Sequence, residues 1–527
     1  MIPAPVTESN PSLCQVQPCG HKHTSCLESS KFESDSLNPG HTLADPETSQ
    51  LKGLARDQER EVIVTNNSAV QKYCSAKSIQ QTVPAEIWDT IFRQSIDDYS
   101  FSLRHHTLDL LALTFSHVCA RWRAVVIGNP SLWSSISIDL SSFTSEMTVA
   151  LQIYLKLSEG RLLNLRIYLS GDPTELGGNA RGAWRLLGPH LSQCRALVWH
   201  VDNAEIVPEV HGLVFSNLVS FKDGSVRLHS LDEMALSPDW FWAAIRSAPR
   251  LTRVVVESPL PLRWLSYSRL TSLDVQYIGR VMVIETLFHV LPNCSCLVSL
   301  TLGSPDIDGD DLLPLAFLEP IEIPSLRHLT VDDEHVPIYS FNEALSVLCS
   351  HLWLPNLTSC SISACEWPSP VSRLLQNCSD TLERLEINLS PFRPNDASLD
   401  PIITLLHHTP HLAQLELSVS KLDGSSFEAT SVALFPSQLQ SPVEPDGNPY
   451  LPRLQSLHLQ YPGLEVTTAE VEMVLDVATK RSAADTTCAL SRLRLASAGS
   501  YTLNDPAHVK RVRELREHGF WVIFDDC

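Results

Sequence analysis

A hexad of the form L-x-x-L-x-L, with related apolar residues allowed at the leucine places, recurs through most of this chain and restricts its fold more than any other feature. It stands as LLNLRI from Leu162, CRALVW from Cys194, LTRVVV from Leu251, LTSLDV from Leu270, LVSLTL from Leu297 and LRHLTV from Leu326. It continues as LTSCSI from Leu357, LERLEI from Leu382, LAQLEL from Leu412, LQSLHL from Leu454 and LSRLRL from Leu490, with a weaker LVSF at Leu218 in the same phase. The starts lie 19 to 42 residues apart. The later positions of each hexad alternate apolar and polar, which is the period of a strand with one buried face. Ahead of the hexads stand apolar segments at helical spacing closed by a breaker, as in ETLFHVLPNCSCL, SVLCSHLWLPNL, SRLLQNCSDTL and ITLLHHTPHL. The unit is helix, turn, short strand. Such a unit carries one apolar face on its strand and one on its helix, and hides both only by stacking on its neighbours. Residues 136–527 are therefore expected to form an α/β repeat. A Pro-, Ser- and Gly-rich stretch over 420–452 reads as a surface insertion. Residues 506–527 read as a cap: a basic helix, a stop at Gly519 and a last apolar strand.

The same alternation assigns the outward positions. Ser359, Ser361 and Ser363 fall on one strand, Arg384, Glu386 and Asn388 on the next, and Gln414, Glu416 and Ser418 on the one after. With neighbouring strands about 4.8 Å apart, these side chains are expected to form one patch in the middle of a concave polar surface. Arg253, Val255 and Glu257 belong to that surface too, as do Ser272, Asp274 and Gln276, and His328, Thr330 and Asp332. Toward the C-terminus it would carry Ser456, His458, Gln460, Arg492 and Arg494.

Upstream, residues 81–135 hold a different pattern. Pro84 and Glu86 mark the start of a helix, the ring at a position where its missing N–H costs nothing and the acid facing the helix dipole. Ile87, Trp88, Ile91 and Phe92 then recur on one helical face. A polar break follows, from Gln94 to His106, read as a linker; a second apolar run includes Leu110, Leu111, Leu113, Val118 and Trp122 and ends near Gly128, Asn129 and Pro130. Two or three short helices cannot bury both faces among themselves in so few residues, so some apolar surface must meet a partner or the rest of the chain.

Three blocks in this stretch carry a resemblance: VPAEIWDTIF from Val83, FSHVCARWR from Phe115 and PSLW from Pro130. Together they resemble an F-box. Val83 departs from the usual Leu, Ala120 from the usual basic residue, and the linker between the halves is longer than in compact members. The hexads in turn resemble irregular leucine-rich repeats of the kind that follow F-boxes, especially in fungal families, their spacing lying near the upper end of that range. The resemblance implies a short all-helical F-box, followed by a leucine-rich-repeat solenoid. It implies docking of Pro84, Ile87, Ile91, Phe92, Val118 and Trp122 against the Skp adaptor of a cullin-type ubiquitin ligase, and capture of an unknown protein substrate on the repeats. Three functional classes stay open: a substrate-recognition subunit with no catalysis of its own, an F-box scaffold acting outside a ligase, and an α/β hydrolase without a recognisable signature.

Composition narrows the field. With 39 Lys and Arg against 60 Asp and Glu, the chain carries a formal charge of −21. Nucleic-acid affinity depends largely on cations displacing counterions, so a nucleic-acid partner is not expected. No run of eighteen apolar residues occurs and the start lacks a basic, apolar leader, so neither a membrane span nor a secretory signal is expected. Fourteen scattered cysteines fit reduced thiols in the cytoplasm or nucleus. Residues 1–80 are poor in large apolar side chains and are read as disordered; Cys14, Cys19, His21, His23 and Cys26 within them lack the paired spacing of a zinc site. Asp306–Asp311 misses the Gly and Glu of a calcium loop. The glycines between Gly171 and Gly188 have no phosphate-cradling spacing and are read as a turn. No cofactor or metal is expected.

Overall fold

The computed structural model describes residues 83–96, 99–104, 107–169, 176–201, 207–224, 239–256, 265–276, 281–303, 319–332, 343–364, 369–392, 400–421, 451–462, 468–482, 490–497 and 505–526. The expected tail over 1–80, its Cys/His cluster, Asp306–Asp311, Glu257 and most of the 420–452 stretch lie outside these residues.

Three helices open the described chain: α1 (Ala85–Ser95), α2 (Leu111–Val118) and α3 (Ala120–Ile127), closed by a 3-10 turn over Pro130–Trp133. Between α1 and α2 lies an antiparallel hairpin, β1 (Phe101–Arg104) and β2 (Thr107–Leu110), and β1 pairs in parallel with β3 (Ser135–Asp139). This corrects the expectation of an all-helical segment. The supposed linker supplies β1, and β2 takes the residues just after it, because Phe101 and Leu103 alternate with polar residues and bury completely against the sheet.

From β3 onward each hexad becomes a strand: β4 (Leu163–Leu169), β5 (Cys194–Val201), β6 (Ser220–Asp223), β7 (Arg253–Val256), β8 (Ser272–Val275) and β9 (Ser299–Gly303). A short β10 (Ile321–Glu322) pairs with β12 (Leu352–Trp353) outside the main sheet. The main sheet continues through β11 (His328–Asp332), β13 (Ser359–Ala364), β14 (Arg384–Phe392), β15 (Gln414–Lys421), β16 (Ser456–Tyr461), β17 (Arg492–Ser497) and β18 (Trp521–Asp526). Among the described residues it has 16 strands, and from β3 to β18 they lie side by side in chain order, all parallel.

Helices alternate with these strands: α4 (Met147–Leu157), α5 (Gly178–Leu187), α6 (Asp239–Arg246), α7 (Val281–Val290), α8 (Glu343–His351), α9 (Ser369–Gln376), α10 (Asp400–His407), α11 (Thr468–Ser482) and α12 (Pro506–Glu517). The glycine-rich segment read as a turn is helical from Gly178, because Ala180, Ala183, Trp184 and Leu187 share one buried helical stripe. The last helix starts as expected, its Asp505 side chain accepting from the Ala507 amide at 2.8 Å, and stops at Gly519 with φ +82°.

One continuous core runs between strands and helices. Leu385, Ile387, Leu415, Leu417, Leu457 and Leu459 point into it from the sheet, and Leu374, Leu375, Leu405, Leu406, Val474 and Leu475 from the helices. Val83–Cys527 forms one compact unit, so the helical segment and the repeats share that core without a break at residue 135.

From β6 to β17 a recurring backbone contact holds each unit in phase with the next. The carbonyl one residue before a strand accepts two amides from the following unit. Thr358 and Ser359 both donate to Arg327 O at 2.9 Å, and Glu383 and Arg384 both donate to Thr358 O at 2.9 Å. The same fork recurs at Val219, Thr252, Thr271, Val298, Glu383, Ala413 and Gln455.

Close packing also fixes one glycine. A Cβ on Gly303 would lie 2.5 Å from Gln276 O and 2.9 Å from its Cα, and backbone on a neighbouring strand cannot step aside cheaply. Gly303→Ala is expected to destabilise the chain by about 1–3 kcal/mol. A urea titration checks this; an unchanged midpoint would show that the Gln276 backbone yields.

Candidate functional site

Two surfaces carry the residues that the sequence singled out. On the first, four aromatic rings make a small core. Phe92 packs on Phe115 and on Trp122 with ring centroids 4.9 Å apart in each case, and Trp88 meets Trp122 at 4.8 Å. The three motif blocks are tied together around it. Arg121 Nη2 donates to Val83 O at 2.5 Å, Asn129 Nδ2 donates to Asp89, and the Trp133 indole N–H donates to Val126 O at 2.8 Å. Cys119 caps α3 by accepting from the Trp122 amide. The blocks are thus parts of one packed segment, although they stand far apart in sequence.

That packing sorts the expected docking residues. Ile87, Ile91 and Val118 are 50%, 40% and 51% exposed, unusually open for large apolar side chains, and Pro84 is exposed beside them in sequence. Trp122 is half-buried. Phe92 is 1% exposed and lies inside the aromatic core, so it does not belong to an outward face. Ile127, 46% exposed at the end of α3, was not singled out by the sequence; its only signal was the apolar run Val125–Ile127.

The second surface is the sheet face opposite the core. Ser359 pairs with Arg384 and Arg384 with Gln414; Ser361, Glu386 and Glu416 form the next row; Ser363, Asn388 and Ser418 the third. The structure brings all nine together, alternating with buried neighbours. Three of its charged groups have partners on this face. Arg384 lies 3.6 Å from Glu386, and the Glu416 carboxylate takes His458 Nδ1 at 2.9 Å and Gln460 Nε2 at 2.6 Å. Asp274 is on the same face, and burial raises its carboxyl above the usual range, against a lowering pull from Lys222 and with a further push from Asp332.

Toward β4 the face changes character, with Arg166, Tyr168, His200 and Lys222 outward. The sequence reading named none of these, although they alternate with Leu165, Ile167, Leu197 and Phe221 as in every other hexad.

Compared with protein-family models and with curated proteins, the chain matches none. The physical reading of the two surfaces therefore carries the functional argument.

Five cysteines lie in the core, whereas Cys296 is exposed. Burial pushes the thiols of Cys194, Cys294, Cys349 and Cys378 up to about 12. Cys360 is raised well above the ordinary thiol range by burial and by its neighbours Cys378 and Cys349. At neutral pH these are protonated thiols, not nucleophilic thiolates. Among the described residues no helix is long and apolar enough to cross a membrane.

Proposed function

We propose that this protein is a substrate-recognition subunit of a Skp–cullin–F-box ubiquitin ligase, acting in the cytoplasm or nucleus. In this reading α1–α3 form the F-box and the helix–strand units are leucine-rich repeats. The observation that carries the reading is the exposed set Ile87, Ile91 and Val118, standing over a closed aromatic core in a segment whose sequence blocks resemble an F-box. A chain that has buried Phe92 and half-buried Trp88 leaves Ile87 and Ile91 open at i, i+4, the spacing at which one helix face meets a partner. The polar face of the repeats would then hold a protein substrate near another subunit's ubiquitin chemistry. Its contribution is effective concentration, not acid–base catalysis.

The test is capture of the Skp adaptor. Burying each isoleucine is worth about 1.5–3 kcal/mol, so losing both should weaken binding by at least about a hundred-fold. Ile87→Asp with Ile91→Asp is expected to lose adaptor capture at wild-type soluble expression and wild-type melting, since both side chains are already exposed. Capture equal to wild type would sink the reading. Adaptor captured without any cullin in the complex would favour a scaffold outside a ligase.

A further inference from the structure

We propose that the β4–β7 end of the polar face is a binding site for an acidic, extended segment of the partner protein. This rests on the reading of that face as a protein-binding surface and names the chemistry it selects.

Apart from Arg384 on β14 and Arg492 and Arg494 on β17, the cations of the face gather at one end. On β8–β15 the outward carboxylates are Asp274, Asp332, Glu386 and Glu416. On β4–β7 the outward ionic groups are Arg166, Lys222 and Arg253, with the His200 imidazole among them. In the row of Lys222, Asp274 stands two strands away with Val255 between them, and on the other side the nearest outward carboxylate is Asp139 on β3, one row from Arg166. Asp139 is buried, and both its oxygens are engaged locally, one by the Ser141 amide at 2.9 Å and the other by the Ser142 hydroxyl at 2.6 Å. Among the described residues none of the three cations makes an ion pair, although Lys222 lies near enough to Asp274 to act on it. In a chain of net charge −21, three cations gathered at one end of the face with no carboxylate at contact distance complement an anion.

The site is also held in place before any ligand arrives. The Arg166 guanidinium lies 4.6 Å above the Tyr99 ring, and its Nη1 donates to Tyr168 Oη at 3.3 Å. Tyr168 stacks on His200 with centroids 4.7 Å apart and planes 8° apart, and His200 Nδ1 lies 2.8 Å from Gly224 O. Gly224 is required for this stack, since a Cβ there would come within 1.9 Å of the His200 ring. Arg166 Nε is buried without a partner, a donor left for a bridging water or an arriving oxygen. A preordered cation loses less entropy on binding than a mobile one.

Spacing sets the ligand. Arg166 and Lys222 occupy one row, separated by the strand carrying Val198. Two strand spacings are about 10 Å, which three residues of an extended polyproline-II chain also cover, with every third side chain on one face. Acidic residues at every third position of a peptide laid across the strands would meet both cations, with Arg253 one row away on the following strand.

The experiment is fluorescence anisotropy on the full chain, with a labelled extended peptide carrying Glu at every third position. The controls are the same peptide with Lys in place of Glu and a single-stranded DNA oligonucleotide of matched charge. The Glu peptide is expected to bind and the Lys peptide not to. Lys222→Glu with Arg253→Glu should weaken Glu-peptide binding at least about ten-fold, with circular dichroism unchanged. If the charge reversal fails to fold, Lys222→Gln with Arg253→Gln serves, with weakening in the same direction. The proposal is overturned if the wild type does not bind the Glu peptide, if the variants bind it equally, or if the oligonucleotide binds more tightly. Adaptor capture through Ile87 and Ile91 is scored separately on the same preparation, so failure of one reading is distinguishable from failure of the other.

Discussion

Phe92→Ala is expected to cost about 3–5 kcal/mol and to open the helical segment, whereas Ile91→Ala, its neighbour in sequence, should change stability by no more than about 0.5 kcal/mol. Phe92 is 1% exposed and its ring touches Phe115, Trp122 and Trp88, with centroids 4.9, 4.9 and 5.9 Å away. Removing it leaves a void lined by three aromatic rings that cannot collapse together without moving α1 off α3. Ile91 is 40% exposed and leaves no void. Urea unfolding followed by tryptophan fluorescence reads the difference directly, since Trp88 and Trp122 report on the same core. Equal effects at the two positions would mean that α1 is rotated about its axis relative to this structure.

A second contrast lies within three residues of β14. Leu385→Ala should cost about 2–5 kcal/mol, because Leu385 is fully buried between Cys360 and Leu415 on the flanking strands. Arg384→Ala and Glu386→Ala should each stay within about 0.5 kcal/mol, the ion pair between them being 3.6 Å long with side chains 51% and 38% exposed. Thermal melts of the three variants check this. If all three melt alike, the strand register is wrong by one residue, since a slip of one exchanges the two faces.

The repeats were legible because each hexad states its own period. Leucines at alternate places sufficed to locate every main-sheet strand from β4 to β17 and the outward positions of the polar patch. The hairpin was not legible. β1 and β2 offer only Phe101 and Leu103, then Leu108 and Leu110, too few alternations to tell from a linker. Their order depends on distant partners, as in the Ser100 hydroxyl donating to Ser135 O. Helix rotation was the other blind spot. Ile87, Trp88, Ile91 and Phe92 share one broad apolar face, and periodicity cannot say which edge of such a face turns inward. The rings of Phe115 and Trp122 decide it, and they come from other helices. The cations on β4–β7 follow the ordinary alternation; their significance depends on which carboxylates lie within reach across strands.

The forked carbonyl before the main-sheet strands from β6 to β16 has a consequence for how such a chain can change over generations. Because phase is handed on through that contact and the adjoining leucines, the length of what lies between two strands is free, as the varied spacing of the hexads shows. Insertions between strands leave the face unaltered. Duplication or loss of a whole unit moves everything beyond it by one strand, about 4.8 Å, and keeps the rows in line. Both amides of the fork are needed, so proline at either donor position, such as Glu383 or Arg384, is the change this inheritance should refuse.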